Sequence, residues 1–259
     1  MNIRGRIVHD APFHDEGYGF DLFGLHPPLL ASAAVASRRF YERYFRVRSH
    51  SIHHIPSGPV ILIANHAGVL PIDAMLLCLD VLYRSDPPRI PRPVLDHFVP
   101  RLPMVSTLFA RLGAVCGTPG NARRLLDRGE LLVIFPEGVS GPAKHTRDRY
   151  RLQDWSVGFA ELAIRHGASI VPVAVIGGEE SWPLAVKLGI HPFGSPYIPI
   201  PWSPLPLPVR YELTYGAPLT VAADPREAND PSVVATLAED ARAALAQLLV
   251  DSRMVRRSL

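Results

Sequence analysis

Three uninterrupted apolar runs divide the chain, Val60 to Ala64, Leu131 to Phe135 and Ile170 to Ile176, and each gives way abruptly to a loop. Short runs of this kind, bounded by turn residues, suit strands buried on both faces, although periodicity alone leaves a buried helical segment open. Pro172 interrupts the third run, so that strand is expected to begin there or to lie at a sheet edge, because proline has no N–H for a ladder. Around these runs the period changes. From Pro27 or Pro28 onward, Leu30, Ala33, Ala34, Ser37, Tyr41, Tyr44 and Phe45 recur at helical spacing, and Arg38, Arg39, Glu42, Arg43 and Arg46 fill the other side. This amphipathic helix either packs on the protein's own core or lies in a lipid headgroup layer with its arginines towards anionic lipid.

Further along, helices are predicted over Ala74 to Leu82, Ser106 to Leu112, Ala122 to Arg128 (capped by Asn121) and Trp155 to Arg165. A last helix starts at Asp230-Pro231, with Val234, Leu237, Ala241, Leu245 and Leu248 on one face, and Arg253, Arg256 and Arg257 trail from its end. Shorter strands are predicted within Arg46 to Ile55, Val94 to Val99 and Arg210 to Tyr215. Residues 1 to 25 show no clear period, and the proline-rich stretch His191 to Val209 reads as a lid or the cover of an apolar channel. Strands alternating with helices predict an α/β fold with a mostly parallel central sheet flanked by helices, preceded by the N-terminal amphipathic helix. One domain spans residues 1–259: a lead-in and amphipathic helix over 1–46, a core over 47–220 and a C-terminal helix over 221–259.

Composition narrows this picture. With 47% hydrophobic and 20% charged residues the chain is globular, and the net charge of +3 is small. Almost all of its 27 basic residues are arginine, since lysine occurs only at Lys144 and Lys187. Codon bias explains that economically, while arginine's bidentate pairing with phosphate keeps anionic lipid or nucleotide partners open. No basic stripe interleaved with aromatics suggests nucleic acid, and the two cysteines, Cys78 and Cys116, form neither a metal nor a disulfide pattern and are expected to be reduced and buried. Neither a secretory signal nor an apolar stretch near the roughly 18 residues of a spanning helix is evident. The expectation is a cytoplasmic protein, peripheral on the inner face of the membrane.

The candidate chemistry gathers where strands end. His66 follows the first run directly, Gly68 permits a tight turn, Pro71 suits a first helical position, and Asp73 falls in the helix's first turn. A histidine delivered to a sheet edge opposite a carboxylate can serve as a general base with an orienting partner. Asp73 could equally complement the helix dipole. Phe135, Pro136, Glu137 and Gly138 end a second strand, and if the two strands are parallel neighbours His66 and Glu137 converge at the carboxyl-terminal edge, where open α/β sheets bind ligands. The loop Lys144 to Arg151, with Arg147 and Arg149, is a solvated basic loop or a phosphate clamp.

Asn65-His66 with Asp73, then Phe135-Pro136-Glu137-Gly138, then Ile170 to Val175 resembles the glycerolipid acyltransferase superfamily, including its lysophosphatidate and monoacylglycerol acyltransferases, from roughly Tyr44 to Pro218. The resemblance implies transfer of a fatty acyl group from acyl-CoA or acyl-carrier protein to the hydroxyl of a lipid acceptor, with no cofactor and no metal. His66 would be the base and Asp73 its partner. Phe135 to Gly138 would bind the acceptor. From geometry rather than the resemblance, backbone N–H groups near Gly68 or at the helix start at Pro71 could stabilise an oxyanion. The aspartate comes seven positions after the histidine, where the commoner family spacing is five. No arginine lies within Gly113 to Gly120, where phosphate-binding relatives carry one, which favours a neutral or differently anchored lipid alcohol. A catalytically silent acyl-CoA or lipid-binding protein on the same fold is the alternative.

Overall fold

The computed structural model of the protein describes residues 2–67, 71–141, 144, 149–190, 197–221 and 224–258. Its centre is a seven-stranded sheet. In chain order the strands are β1 (Arg48–His50), β2 (Val60–Ala64), β3 (Pro91–Leu95), β4 (Val115–Cys116), β5 (Leu131–Ile134), β6 (Ser169–Ile176) and, after a separate antiparallel hairpin of β7 (Leu184–Leu188) and β8 (Ile198–Pro201), β9 (Glu212–Tyr215). They lie in the order β1-β9-β6-β2-β5-β3-β4. Strands β6, β2, β5, β3 and β4 are parallel, and only the β6–β9 pairing is antiparallel. The mostly parallel sheet flanked by helices is therefore as expected.

All five residues of β2 are buried, because helices cover both faces of the sheet. On one face Val60, Leu62 and Ala64 join a core with α2 (Pro27–Arg39) and α3 (Ile72–Arg84). On the other, Ile61 and Ile63 meet α5 (Pro119–Asp127), α6 (Gly158–His166) and the first half of α8 (Pro231–Ser258). α2 runs on into a π-turn over Phe40–Tyr44 and sets Leu30, Ala31, Ala34, Tyr41 and Phe45 in the first core, so its apolar face is internal. Leu29, Val35 and Phe40 stay exposed beside the arginines. A buried carboxylate ties this helix down. Asp80 accepts from Tyr41 Oη at 2.5 Å, Ser49 Oγ at 2.7 Å and Tyr215 Oη at 2.8 Å.

Several expectations are corrected. The first residues, which showed no clear period, include α1 (Ile3–Gly5) and the π-turn Arg6–Asp10, and Ile3, Ile7 and Ala11 are buried, a spacing of four that suits one helical face. The strand expected over Arg46 to Ile55 is confined to β1, since Ser51 takes φ 60° and a 3₁₀ turn follows. β3 starts at Pro91, earlier than expected. α4 (Val105–Arg111) begins close to where it was expected. α5 is capped by Thr118, whose hydroxyl accepts from Asn121 N, so Asn121 lies inside the helix. Pro172 is interior to β6, a strand paired on both sides. Its carbonyl accepts from Gly216 N, one residue beyond the end of β9, before the chain bridges back at Ile170 and Leu219. Cys78 and Cys116 are free but only half-buried. Arg253 and Arg256 lie within α8 and do not trail from it. Among the described residues no helix is long and apolar enough to cross a membrane.

Candidate functional site

The parallel pairing of β2 with β5 and β6 brings three strand ends to one edge, and the site is built there. β2 is held in place beyond its last residue. Asn65 is fully buried and clasps Val175 of β6, donating from Nδ2 to its carbonyl at 2.9 Å and accepting from its N–H at 2.8 Å. This extends the ladder by one residue and turns His66 towards α3. Asp73, with no exposed surface, meets it there: its Oδ2 accepts from His66 Nδ1 at 2.6 Å and from Ala67 N at 2.8 Å, and its Oδ1 accepts from Ala74 N at 2.8 Å. The seven-residue separation therefore lets the two side chains meet. With Nδ1 given to the carboxylate, Nε2 is the ring atom left to act, and it carries no hydrogen bond among the described residues.

The Phe135 ring lies against the imidazole with centroids 4.5 Å apart. Burial disfavours the charged ring, but the charge and hydrogen bond of Asp73, helped by Glu137 and Asp96, outweigh that and hold the His66 pKa above its usual value. A base so placed is selectively stabilised once it has taken a proton.

Glu137 stands behind the histidine. Its Oε1 accepts from His66 N at 3.1 Å, and its Oε2 accepts from Gln153 N at 2.9 Å and pairs with Lys144 Nζ at 2.8 Å. Both carboxylate oxygens are thus engaged by the protein. Gly138 turns the chain with φ 50°, and buried Pro136 accepts from Ser156 N through its carbonyl. Lys144 carries more than the sequence suggested. Its side chain is 3% exposed, it also donates to the His66 carbonyl at 3.3 Å, and its ammonium lies 3.6 Å from Glu179. Glu179 accepts from Tyr150 N at 2.6 Å, and burial raises its pKa to about 7 despite the nearby ammonium. The folded-back segment is packed closely, since a Cβ at Gly141 would lie 2.8 Å from His66 Cβ and 2.9 Å from His66 O.

Of the residues expected to form the site, the structure brings together His66, Asp73, Phe135, Pro136, Glu137 and Gly138. Gly68 and Arg147 lie outside the described residues. Arg149 is exposed and lines a neighbouring cavity instead. Sequence reasoning missed Lys144, Glu179 and Tyr150 as parts of this edge. The available signal was Lys144 itself, one of two lysines in a chain that otherwise uses arginine. The proposed lid lies partly outside the described residues, at 191–196. Its described part forms β8 and a stretch in which Trp202 and Leu205 are largely exposed.

A strand-end imidazole held by a buried carboxylate, on a sheet flanked by helices, has the geometry with which a histidine can accept a proton. The chain belongs to the acyltransferase family, whose model matches residues 46–176, and it is an acyltransferase. Uncharacterized proteins of Mycobacterium leprae and Mycobacterium tuberculosis are each 36% identical to it, over 95% of this chain and 69% and 71% of theirs. A Gallus gallus protein described as a DGAT1/2-independent enzyme synthesizing storage lipids is 28% identical, over 93% of this chain and 69% of its own. The solved 1-acyl-sn-glycerophosphate acyltransferase PlsC of Thermotoga maritima superposes with a TM-score of 0.55 at 16% identity, over 85% of this chain and 80% of that one, and shows the same fold.

Proposed function

We propose that the protein transfers a fatty acyl group from a thioester donor, acyl-CoA or acyl-carrier protein, to the hydroxyl of a glycerolipid or related lipid alcohol. The observation that carries this reading is the 2.6 Å contact between His66 Nδ1 and buried Asp73. It leaves Nε2 to take the hydroxyl proton as the oxygen attacks the thioester carbonyl. The tetrahedral intermediate then expels the thiolate, which leaves as the thiol with the proton that His66 received, so no acyl-enzyme, metal or cofactor is required. Asp73 stabilises the imidazolium formed on the way. Glu137 and Lys144 fix the His66 backbone, and the Phe135 to Gly138 turn borders the space for the acceptor. The name of the Gallus gallus relative and the absence of arginine from Gly113 to Gly120 support a neutral lipid acceptor.

The test is release of thiol from long-chain acyl-CoA in the presence of a panel of lipid alcohols, with the acylated lipid identified by mass spectrometry. Wild type should form product and His66→Ala should lose it. Acyl transfer that survives His66→Ala would end this mechanism, and tight donor binding without turnover would favour the silent binding protein. We further propose a peripheral position on the cytoplasmic membrane face. Exposed Leu29 and Val35 on α2 and Phe40 in the π-turn that follows lie beside Arg38, Arg39 and Arg43, and Trp202 and Leu205 are exposed beyond the β7–β8 hairpin. Flotation with anionic liposomes should fall for Phe40→Ser and Trp202→Ser, and flotation unchanged in both would assign membrane contact elsewhere.

A further inference from the structure

Beside the catalytic edge, but on the α8 side of the sheet, lies a cavity of about 380 Å³ lined by Arg149, Tyr150, Ile176, Glu180, Arg253 and Arg256. Three guanidinium groups face one carboxylate there, for a formal lining charge of +2. That carboxylate is itself engaged, because Glu180 accepts from Tyr150 Oη at 2.5 Å and lies 3.5 Å from Arg256. Arg253 is braced over the Tyr150 ring, its Cζ 4.9 Å from the centroid, and Arg149, next to Tyr150 in the chain, also lines the cavity. Planar guanidinium groups converging from a helix and a loop on a pocket of this size suit phosphate oxygens, which they pair bidentately.

We propose that this cavity holds the phosphate-bearing end of the acyl donor, the pyrophosphate of CoA or the phosphodiester of a carrier protein's phosphopantetheine arm. The assignment rests on the acyl-transfer reading above. It is supported by position: Ile176 closes β6, the strand next to β2, and Tyr150 in the cavity wall donates to Glu179, which faces Lys144 behind His66. The phosphate cavity and the base thus share a wall, so a ligand carrying charge at one end and a thioester at the other can occupy both. The acceptor is the weaker candidate, because the segment where phosphate-binding relatives carry their arginine has none.

The test separates binding from chemistry. Calorimetric titration of the full-length protein with CoA alone reads the cavity without turnover. Arg253→Gln, Arg256→Gln and, on a separate element, Arg149→Gln are each checked for unchanged melting before use. Each should weaken CoA binding about tenfold or more, the scale of one charge-assisted contact. In turnover, the ratio of kcat/KM for acyl-CoA to that for acyl-pantetheine, which has no phosphate, should fall by the same factor. If instead the ratio of acyl-carrier protein to acyl-pantetheine falls and the CoA values hold, the carrier arm is the occupant. Values unchanged for both donors overturn the proposal, as does a loss confined to a phosphorylated lysolipid acceptor. Failure to transfer acyl groups to any acceptor would instead count against the acyl-transfer reading, whatever the CoA affinity.

Discussion

Replacing Asp73 by Asn keeps the shape of the side chain and removes its charge, so the consequences follow from contacts already measured. Asp73 accepts three hydrogen bonds, from His66 Nδ1, Ala67 N and Ala74 N. An amide has only one acceptor oxygen. If that oxygen faces His66 and Ala67, the amide NH₂ opposes the Ala74 N–H; in the reverse orientation it opposes the Ala67 N–H and makes His66 Nδ1 an acceptor, which moves the ring proton to Nε2 and disables the base. Either arrangement leaves a buried N–H unpaired, at about 1–3 kcal/mol. The catalytic effect is larger. Unit charges about 4 Å apart attract by about 4 kcal/mol at an effective dielectric near 20, and this attraction exists only once His66 is protonated. Losing it from the transition state lowers kcat by about 10³. The assay is thiol release from acyl-CoA with a lipid alcohol across pH. His66 must be neutral to accept a proton and its pKa is raised, so wild-type kcat/KM should rise with pH through a midpoint above 6.5, and Asp73→Asn should move that midpoint down. A folded Asp73→Asn enzyme within fivefold of wild type, with an unmoved acid limb, would refute the assignment.

Three further outcomes test the surrounding structure. Gly141→Ala places a methyl group 2.8 Å from His66 Cβ, so turnover should drop more than about tenfold with a smaller change in melting temperature; wild-type kinetics would mean the segment yields freely. Lys144→Ala leaves Glu137 without its ammonium partner in a buried setting and should destabilise by about 3–5 kcal/mol in urea unfolding, a change under 1 kcal/mol being inconsistent with the pairing described. Burial raises the Glu179 pKa from the ordinary 4.5 to about 7, so its contribution to stability is full below about pH 4.5 and is lost as pH rises through 7. Glu179→Gln should therefore flatten the dependence of melting temperature on pH between about 5 and 8, and an unaltered slope would assign that slope to other groups.

The parts of the fold legible in the sequence were those set by local pattern. Val60 to Ala64 and Leu131 to Phe135 read as buried strands because each is covered on both faces, and His66 and Asp73 were found because they follow such a strand and open a helix. What escaped depended on tertiary closure. Pro172 sits inside a strand paired on both sides, opposite the end of β9, and no property of residues 169–176 reveals where β9 ends. Lys144 lies in a segment whose basic residues read as a solvated loop or a phosphate clamp, and its insertion between Glu137 and Glu179 depends on contacts across the sheet edge that no local pattern shows. Arg253 and Arg256 read as a frayed tail, because nothing local shows that Tyr150 and Glu180 face them. The burial of Ile3, Ile7 and Ala11 was detectable as a spacing of four, but two short helical pieces gave too short a window for that period to stand out.

With a thioester as the donor, as proposed above, the pairing of Lys144 with two carboxylates has a further chemical consequence. Thioesters acylate free amines without any catalyst, and a protein that gathers them beside its own surface risks modifying itself. Guanidinium groups resist this reaction, and the chain has 27 basic residues of which only Lys144 and Lys187 bear a side-chain amine. Lys187 lies exposed on the β7–β8 hairpin. The Lys144 side chain, next to His66, is 3% exposed and its nitrogen is enclosed between Glu137 at 2.8 Å and Glu179 at 3.6 Å, so this amine is kept out of a thioester's reach.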